Sequence, residues 1–239
     1  MQRSVKDILL RHAGATVAVL GGGVSLPETL ERLPAGVVCL SANHHGCLYR
    51  RCDYIVALDN IEAKLRPYGV PIIAPHAWAD YRMTEHPQLF YSGMQGAWVA
   101  WMLGARLILL CGIDCYQGGT YCHAPEEDAP ALNRPEHVHA QGWGRVKACI
   151  PVPIRTLSAP LESIFGAYDP DEVLPPYVPT ERFVLLAHCA GTKVELLQDS
   201  GRTREGVRYL RGQILELPRD EAQRLIAMRH ARRHIEAIS

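Results

Sequence analysis

Five near-continuous apolar runs, separated by segments of helical spacing, constrain this chain more than any other feature. They are ATVAVLGGG (15–23), GVVCLSAN (36–43), CDYIVALDN (52–60), GVPIIAPHAW (69–78) and RLILLCGIDCY (106–116). A strand with one wet face alternates apolar and polar residues, whereas a strand covered on both faces reads as a continuous apolar run. LPETLERL follows the first run with helical spacing, and SGMQGAWVAWMLGA (92–105) precedes the last. That alternation specifies an α/β class with a doubly wound, mostly parallel, Rossmann-like sheet. Residues 117–136 are polar and rich in Gly and Pro and read as a loop at a strand's carboxyl end. HVHAQGWGRVKACI resumes helix, and PVPIRTLSA is a last, shorter strand. The N-terminal MQRSVKDILLRHAG reads as a short amphipathic helix, not a signal peptide.

The 239 residues suffice for one medium domain with an appendage. Residues 1–165 are expected to form the Rossmann-like domain. Pro170, Pro175, Pro176 and Pro179 make 166–182 a linker. Residues 183–239 then form a small α+β module, with strands FVLLAHC, KVELLQ and VRYLRGQILELP ahead of a capped helix, PRDEAQRLIAMRHARRHIEAI. Charge divides along the same line. Residues 1–179 hold 14 Lys/Arg and 17 Asp/Glu, and 180–239 hold 11 and 8, so the formal net charge of zero is a cancellation. A neutral chain argues against general nucleic-acid binding, which shows as a basic excess. Acidic residues interleave with the arginines of the tail, as on a solvated face. None of the eight cysteines forms a CxxC pair, and several lie in apolar runs, the pattern of buried thiols in a reducing cytoplasm. No apolar stretch reaches the length of a membrane span.

Polar residues gather where the apolar runs end. Gly21, Gly22 and Gly23 stand between a strand and a helix, where backbone N–H groups approach phosphates or the chain simply turns tightly. The dinucleotide fingerprint fails, because its third glycine falls at Leu26, and no Walker lysine is present. Ser25 suits either that loop or the cap of the helix beginning near Pro27. Asn43, Asp59, Asn60, Asp114 and Tyr116 also end strands, and carboxyl ends open onto the ligand crevice of such a sheet. Caps and turns are the alternative for each one singly. Histidine is plentiful, at 11. A zinc site of His137 and His139 with His123 and Cys122 is disfavoured, because alternate histidines on a helix diverge by about 200° and no set has zinc spacing. A histidine general base is the better use. Trp98 and Trp101, three apart, read as core.

In their order these segments resemble glycosyltransferase family 42, the bacterial lipooligosaccharide sialyltransferases, and the wider group that includes 6-hydroxymethylpterin pyrophosphokinase-like proteins. VLGGGVSL is similar to the family's Gly-x-Gly-Pro-Ser-Leu loop, with Val24 in place of proline. SANHHG and ALDN stand where the family has nucleotide-contacting asparagines. YSGMQGAWVAWMLGARLILLCGIDCYQGGTY is similar to its Ser-Gly, helix, Leu-Gly, strand, Gly-Ile-Asp-x-Tyr block, and HVHAQGWGRVKA falls where it keeps a histidine base. The resemblance spans roughly 15–160. It implies a metal-independent transferase using a nucleotide-monophosphate sugar, of the cytidine monophosphate type, with no other cofactor. Gly21, Gly22, Gly23, Ser25, Asn43, Asp59, Asn60, Ser92, Gly93, Gly112 and Asp114 would line the nucleotide site. Tyr116 and Tyr121 would donate hydrogen bonds to the departing phosphate, and His139 or His137 would take the acceptor's proton.

The departures leave alternatives open. Leu89 stands where the family has a basic residue, and the acceptor lid is short. A pyrophosphokinase-like transfer would make Asp59 and Asp114 ligands of Mg²⁺. A third reading is a degenerate fold kept for binding or assembly, since the tail is similar to small modules of bacteriophage-encoded proteins. The acceptor is unspecified, and the resemblance is compatible with a homo-oligomer.

Overall fold

The computed structural model describes residues 3–83, 91–115, 120–128 and 136–178, together with strand segments at 192–196, 214–217 and 231–233. The chain divides into two compact units, one of 1–83 and 89–182, the other of 84–88 and 183–239.

The first unit is built on one eight-stranded sheet, parallel throughout. Its strands are β1 (Arg3–Ser4), β2 (Thr16–Leu20), β3 (Val38–Ala42), β4 (Tyr54–Val56), β5 (Ile72–Ala74), β6 (Tyr81–Arg82), β7 (Leu107–Cys111) and, after the hairpin β8 (Thr120–Tyr121) and β9 (Ala124–Asp128), β10 (Ile154–Thr156). The spatial order is β1-β6-β5-β4-β3-β2-β7-β10, every neighbouring pair parallel. The five apolar runs are β2, β3, β4, β5 and β7, and the central ones are buried on both faces: Val17–Leu20 and Ile108–Cys111 are fully enclosed. This is the α/β Rossmann-like architecture expected.

Among the described residues five α-helices accompany the strands: α1 (Leu26–Glu31), α2 (Glu62–Leu65), α3 (Ser92–Met102), α4 (Glu136–Cys149) and α5 (Glu162–Phe165). The central one is α3, buried along almost its whole length. It lies close on β2 because residue 96 is glycine; a Cβ there would stand 2.7 Å from Val19 Cγ1. Trp98 and Trp101 are both buried and meet edge to face, with centroids 4.7 Å apart, as a core pair does. The helix stops at Gly104, whose left-handed φ of +90° is that of a C-terminal cap glycine.

The chain's opening departs from expectation. Instead of an amphipathic helix, Arg3–Ser4 pairs with Tyr81–Arg82, and a single 3₁₀ turn, Val5–Ile8, follows. Ser4 and Asp7 close a capping box at its start. Beyond it, the amides of Leu10, His12 and Gly14 donate to the carbonyls of Met102, Leu103 and Gly104, so tertiary bonds replace the helical ladder. The polar segment 117–136 also differs, since Thr120–Tyr121 pairs antiparallel with Ala124–Asp128. Residues 166–178 run along the first unit. Ala167 bridges to Thr156, Tyr168 N–H donates to the Thr156 carbonyl, and Arg155 pairs with Glu172.

In the second unit, β11 (Thr192–Leu196) is flanked by β12 (Ile214–Leu217) and β13 (Ala231–Arg233), both antiparallel to it. Within the segment expected to be helical to the C-terminus, the described residues 231–233 form a strand instead, where pairing with 194–196 overrides local helical spacing; the rest of that segment lies outside the described residues. FVLLAHC lies outside the described residues. Among the described residues no helix is long and apolar enough to cross a membrane.

Candidate functional site

The chain runs outward from β2 through β3 to β6 on one side, then returns to add β7 and β10 on the other. Between β2 and β7 the winding reverses, and ligands of such sheets bind outside the carboxyl ends at that point. Gly21–Gly23 leave β2 there, beside Gly112–Asp114 leaving β7. The Gly21 and Gly23 amides donate to the Cys111 and Gly112 carbonyls at 2.8 Å, so they extend the β2–β7 ladder. Glycine is required by close approach. A Cβ at Gly21 would lie 2.3 Å from the Gly112 carbonyl oxygen, one at Gly22 2.7 Å from the His45 ring, and one at Gly23 2.4 Å from an Asp114 carboxylate oxygen.

Asp114 is buried and anchors this crossing. Its Oδ2 accepts from the Ser25 amide at 2.8 Å, and its Oδ1 accepts from Ser25 Oγ. Ser25 Oγ also meets Ser158 Oγ at 3.2 Å, and Ser158 Oγ accepts from the Ile113 amide at 3.1 Å. Ser25 does precede α1, but its side chain makes no capping bond; the carboxylate of Asp114 takes the hydroxyl.

A second group forms where β3 and β4 end beside the N-terminus of α3. Asn43 adopts a left-handed φ of 55°, which asparagine tolerates better than most residues. Ser92 Oγ donates to Asn43 Oδ1 at 3.1 Å and accepts from the Leu58 amide at 3.1 Å. Because Oδ1 is the acceptor in that pair, Nδ2 is the donor end of the Asn43 amide, held in place by the same bond. Gly93 follows Ser92, its Cα close to Ile113, so the two groups are contiguous. Asp59 and Asn60 sit just beyond, both exposed. Asn60 Oδ1 accepts from the Trp78 indole at 2.6 Å, and His76 Nε2 bonds the Leu58 carbonyl at 2.9 Å.

Deeper in α3, Gln95 is fully buried, and neither its Oε1 nor its Nε2 has a hydrogen-bond partner among the described residues. An unsatisfied buried polar group costs about 1–3 kcal/mol. Gln95→Leu is therefore expected to raise the melting temperature by a few degrees in scanning calorimetry. An unchanged or lower value would mean that the amide is bonded in solution.

Beside Asn43 stands a constellation that sequence reasoning missed. The β8–β9 hairpin docks on the glycine loop, the Cys122 amide donating to the Gly22 carbonyl at 3.0 Å. This brings the Tyr121 ring into a stack on His45, centroids 4.6 Å apart and planes 21° apart. His123, in the hairpin turn, lies 4.9 Å from His45 and 5.3 Å from His44, centroid to centroid. Burial pushes the His45 imidazole down to about 3, and His44 and His123 add to that depression, so His45 is neutral near pH 7. Cys122 turns to Tyr49, whose phenol it raises to about 12, first through their hydrogen bond and then with desolvation. The sequence had weighed His123 and Cys122 with His137 and His139. The signal it passed over was His44–His45 at a strand's carboxyl end.

Of the residues expected to form the site, Gly21–Gly23, Ser25, Gly112 and Asp114 meet at the β2–β7 crossing. Asn43, Ser92 and Gly93 form the adjoining group, and Tyr121 joins from the hairpin. Tyr116 lies outside the described residues. His137 and His139 fall in the first turns of α4, with side chains outside the described set.

Among solved structures, the chain is similar to the sialyltransferase CstII from Campylobacter jejuni. In complex with the substrate analogue cytidine-5'-monophosphate, that protein shares 15% identity at a TM-score of 0.49, over 74% of this chain and 99% of the other. In complex with CMP-3FNeuAc the figures are 14%, 0.46, 73% and 99%. With a trisaccharide acceptor and CMP they are 15%, 0.46, 73% and 99%. No family model matches the sequence, and no curated protein matches it.

Proposed function

We propose that the first unit is a nucleotide-sugar transferase of the cytidine monophosphate type. The observation that carries this reading is the Asn43–Ser92–Leu58 linkage, which joins the ends of β3 and β4 to the N-terminus of α3 beside the winding reversal. It provides a fixed amide donor and a helix N-terminus at the edge where nucleotides bind in such sheets. The cytidine assignment rests on the sequence resemblance set out above.

In the transfer, an acceptor hydroxyl oxygen bonds to the anomeric carbon as the bond from that carbon to the phosphate oxygen breaks. The nucleotide monophosphate leaves with the electron pair. His139 or His137 takes the hydroxyl proton, and Tyr116 and Tyr121 donate hydrogen bonds to the departing phosphate. Hydrogen bonds from the two phenols stabilise the leaving phosphate in the place a metal ion would take. The pyrophosphokinase-like alternative asks Asp59 and Asp114 to ligate Mg²⁺; Asp114 is buried with both oxygens turned to Ser25, whereas Asp59 is exposed.

A thermal-shift panel tests the reading. Cytidine monophosphate at a hundredfold its dissociation constant should stabilise by about 2.7 kcal/mol, a rise of about 5–10 °C for a domain of this size. Uridine, guanosine and adenosine monophosphates should give less, and Mg²⁺ should not alter the ranking. A shift from no nucleotide, or only from a purine nucleotide with Mg²⁺, would overturn it.

A further inference from the structure

His44, His45 and His123 come from two places in the chain and meet at one point. Asn43, turned into the left-handed region, starts the bend that carries His44 and His45 off β3. Gly46 fixes that bend by donating its amide to Ser41 Oγ at 2.9 Å. His123 arrives from the turn of the β8–β9 hairpin. One nitrogen from each ring lies within 4.8 Å of the other two. We propose that these three histidines bind a single divalent transition-metal ion of the zinc class, with a fourth position open to water or an anionic oxygen.

The geometry is close to what such an ion needs. Three imidazole nitrogens about 2.0–2.1 Å from one tetrahedral ion stand roughly 3.3 Å from one another, so ring rotations that close the gaps by an ångström or so complete the set. The donors are all imidazole, which suits zinc, copper or nickel and not magnesium or calcium. His45 is 8% exposed, and its Nδ1 has no hydrogen-bond partner among the described residues. Buried polar nitrogens are ordinarily satisfied, and a metal bond supplies the partner. Packing already holds the His45 ring, with Gly22 close against both it and Tyr121, and the Tyr121 ring stacked on it at 4.6 Å. The described residues bring three ligands to this point and not four. Three protein ligands with one open position is the pattern of a site that binds or activates an oxygen ligand, in contrast to the closed four-ligand structural type.

The site has two consequences. It ties the hairpin that carries Tyr121 to the end of β3. It also puts a cation beside the glycine loop, where the Gly21 and Gly23 amides are engaged with the neighbouring strand. Neither consequence depends on the transferase reading.

Untagged full-length protein, stripped with a chelator and free of nucleotide, is titrated calorimetrically with Zn²⁺ and, by absorption, with Co²⁺. The expected result is saturation near one equivalent, an upward melting shift of about 5–10 °C at a hundredfold the dissociation constant, and the intense visible bands of four-coordinate cobalt. Mg²⁺ should produce no shift. His123→Ala lies in a half-buried hairpin turn, so its metal-free melting temperature should stay close to wild type. It should weaken Zn²⁺ about a hundredfold and abolish the cobalt bands, and His44→Ala should do the same. The proposal is overturned if binding does not saturate, or if both variants bind as wild type does. The three rings would then be a stacking cluster with Tyr68 and Tyr121. Because nucleotide is absent throughout, failure here and failure of the nucleotide panel are separate results.

Discussion

Gly21→Ala should destabilise the first unit by about 3 kcal/mol, near the upper end of the usual cost of overpacking a core, and lower the melting temperature by about 6–12 °C. The added methyl would lie 2.3 Å from the Gly112 carbonyl oxygen and 2.8 Å from Ile113 Cδ1. A side chain such as Ile113 can rotate away, but the Gly112 carbonyl belongs to the backbone and is held by the Gly23 amide at 2.8 Å. Relief therefore requires β2 and β7 to part where their ladder ends. Gly144→Ala is the matched control. It lies within α4 with nothing inside 4 Å of its would-be Cβ, so the same change there should stabilise by up to about 1 kcal/mol through helix propensity. Chemical denaturation of the two variants beside wild type gives both differences. Equal small effects at the two positions would show that β2 and β7 tolerate separation at that point.

The glycine loop also marks the boundary of what was legible in the sequence. Its place after the first strand was plain, because strands buried on both faces leave continuous apolar runs and the run ATVAVL ends at Gly21. Its role was not plain. Three glycines suit either a phosphate cradle or a close backbone crossing, and only the partner strand, far along the chain, distinguishes them. The same limit hid the edge strand Arg3–Ser4 and its neighbour Tyr81–Arg82, which are too short and polar to carry a period. The hairpin at 120–128 was hidden likewise, since its acidic residues have little strand propensity and pairing is what forms it. Asn43 and Asp114 were legible as strand-end polar residues, and Ser92 only through the family resemblance. Ser25 was legible as a helix-start residue, but its bond to Asp114 was not. The three histidines needed the hairpin's docking to become a group, and no spacing rule spans two segments so far apart.

His139→Ala should lower transfer by about a hundredfold to ten-thousandfold, the usual worth of a positioned general base, while leaving the cytidine monophosphate dissociation constant within about twofold. The separation follows from what each group touches in the proposed reaction. The base meets the acceptor's proton, whereas the nucleotide is held at the Asn43–Ser92 edge. His137 and His139 both belong to α4, and the proposed reaction needs one base, so His137→Ala serves as the internal comparison: one variant loses turnover and the other keeps it. The pH profile adds a readout that misfolding would not mimic. In wild type, kcat should fall on the acidic side as the base gains its proton, and that limb should vanish from the residual activity of the variant lacking the base. Equal losses of turnover and of nucleotide affinity would remove histidine from the chemistry. Loss of turnover in both variants, each with the acidic limb intact, would move the base off α4 altogether.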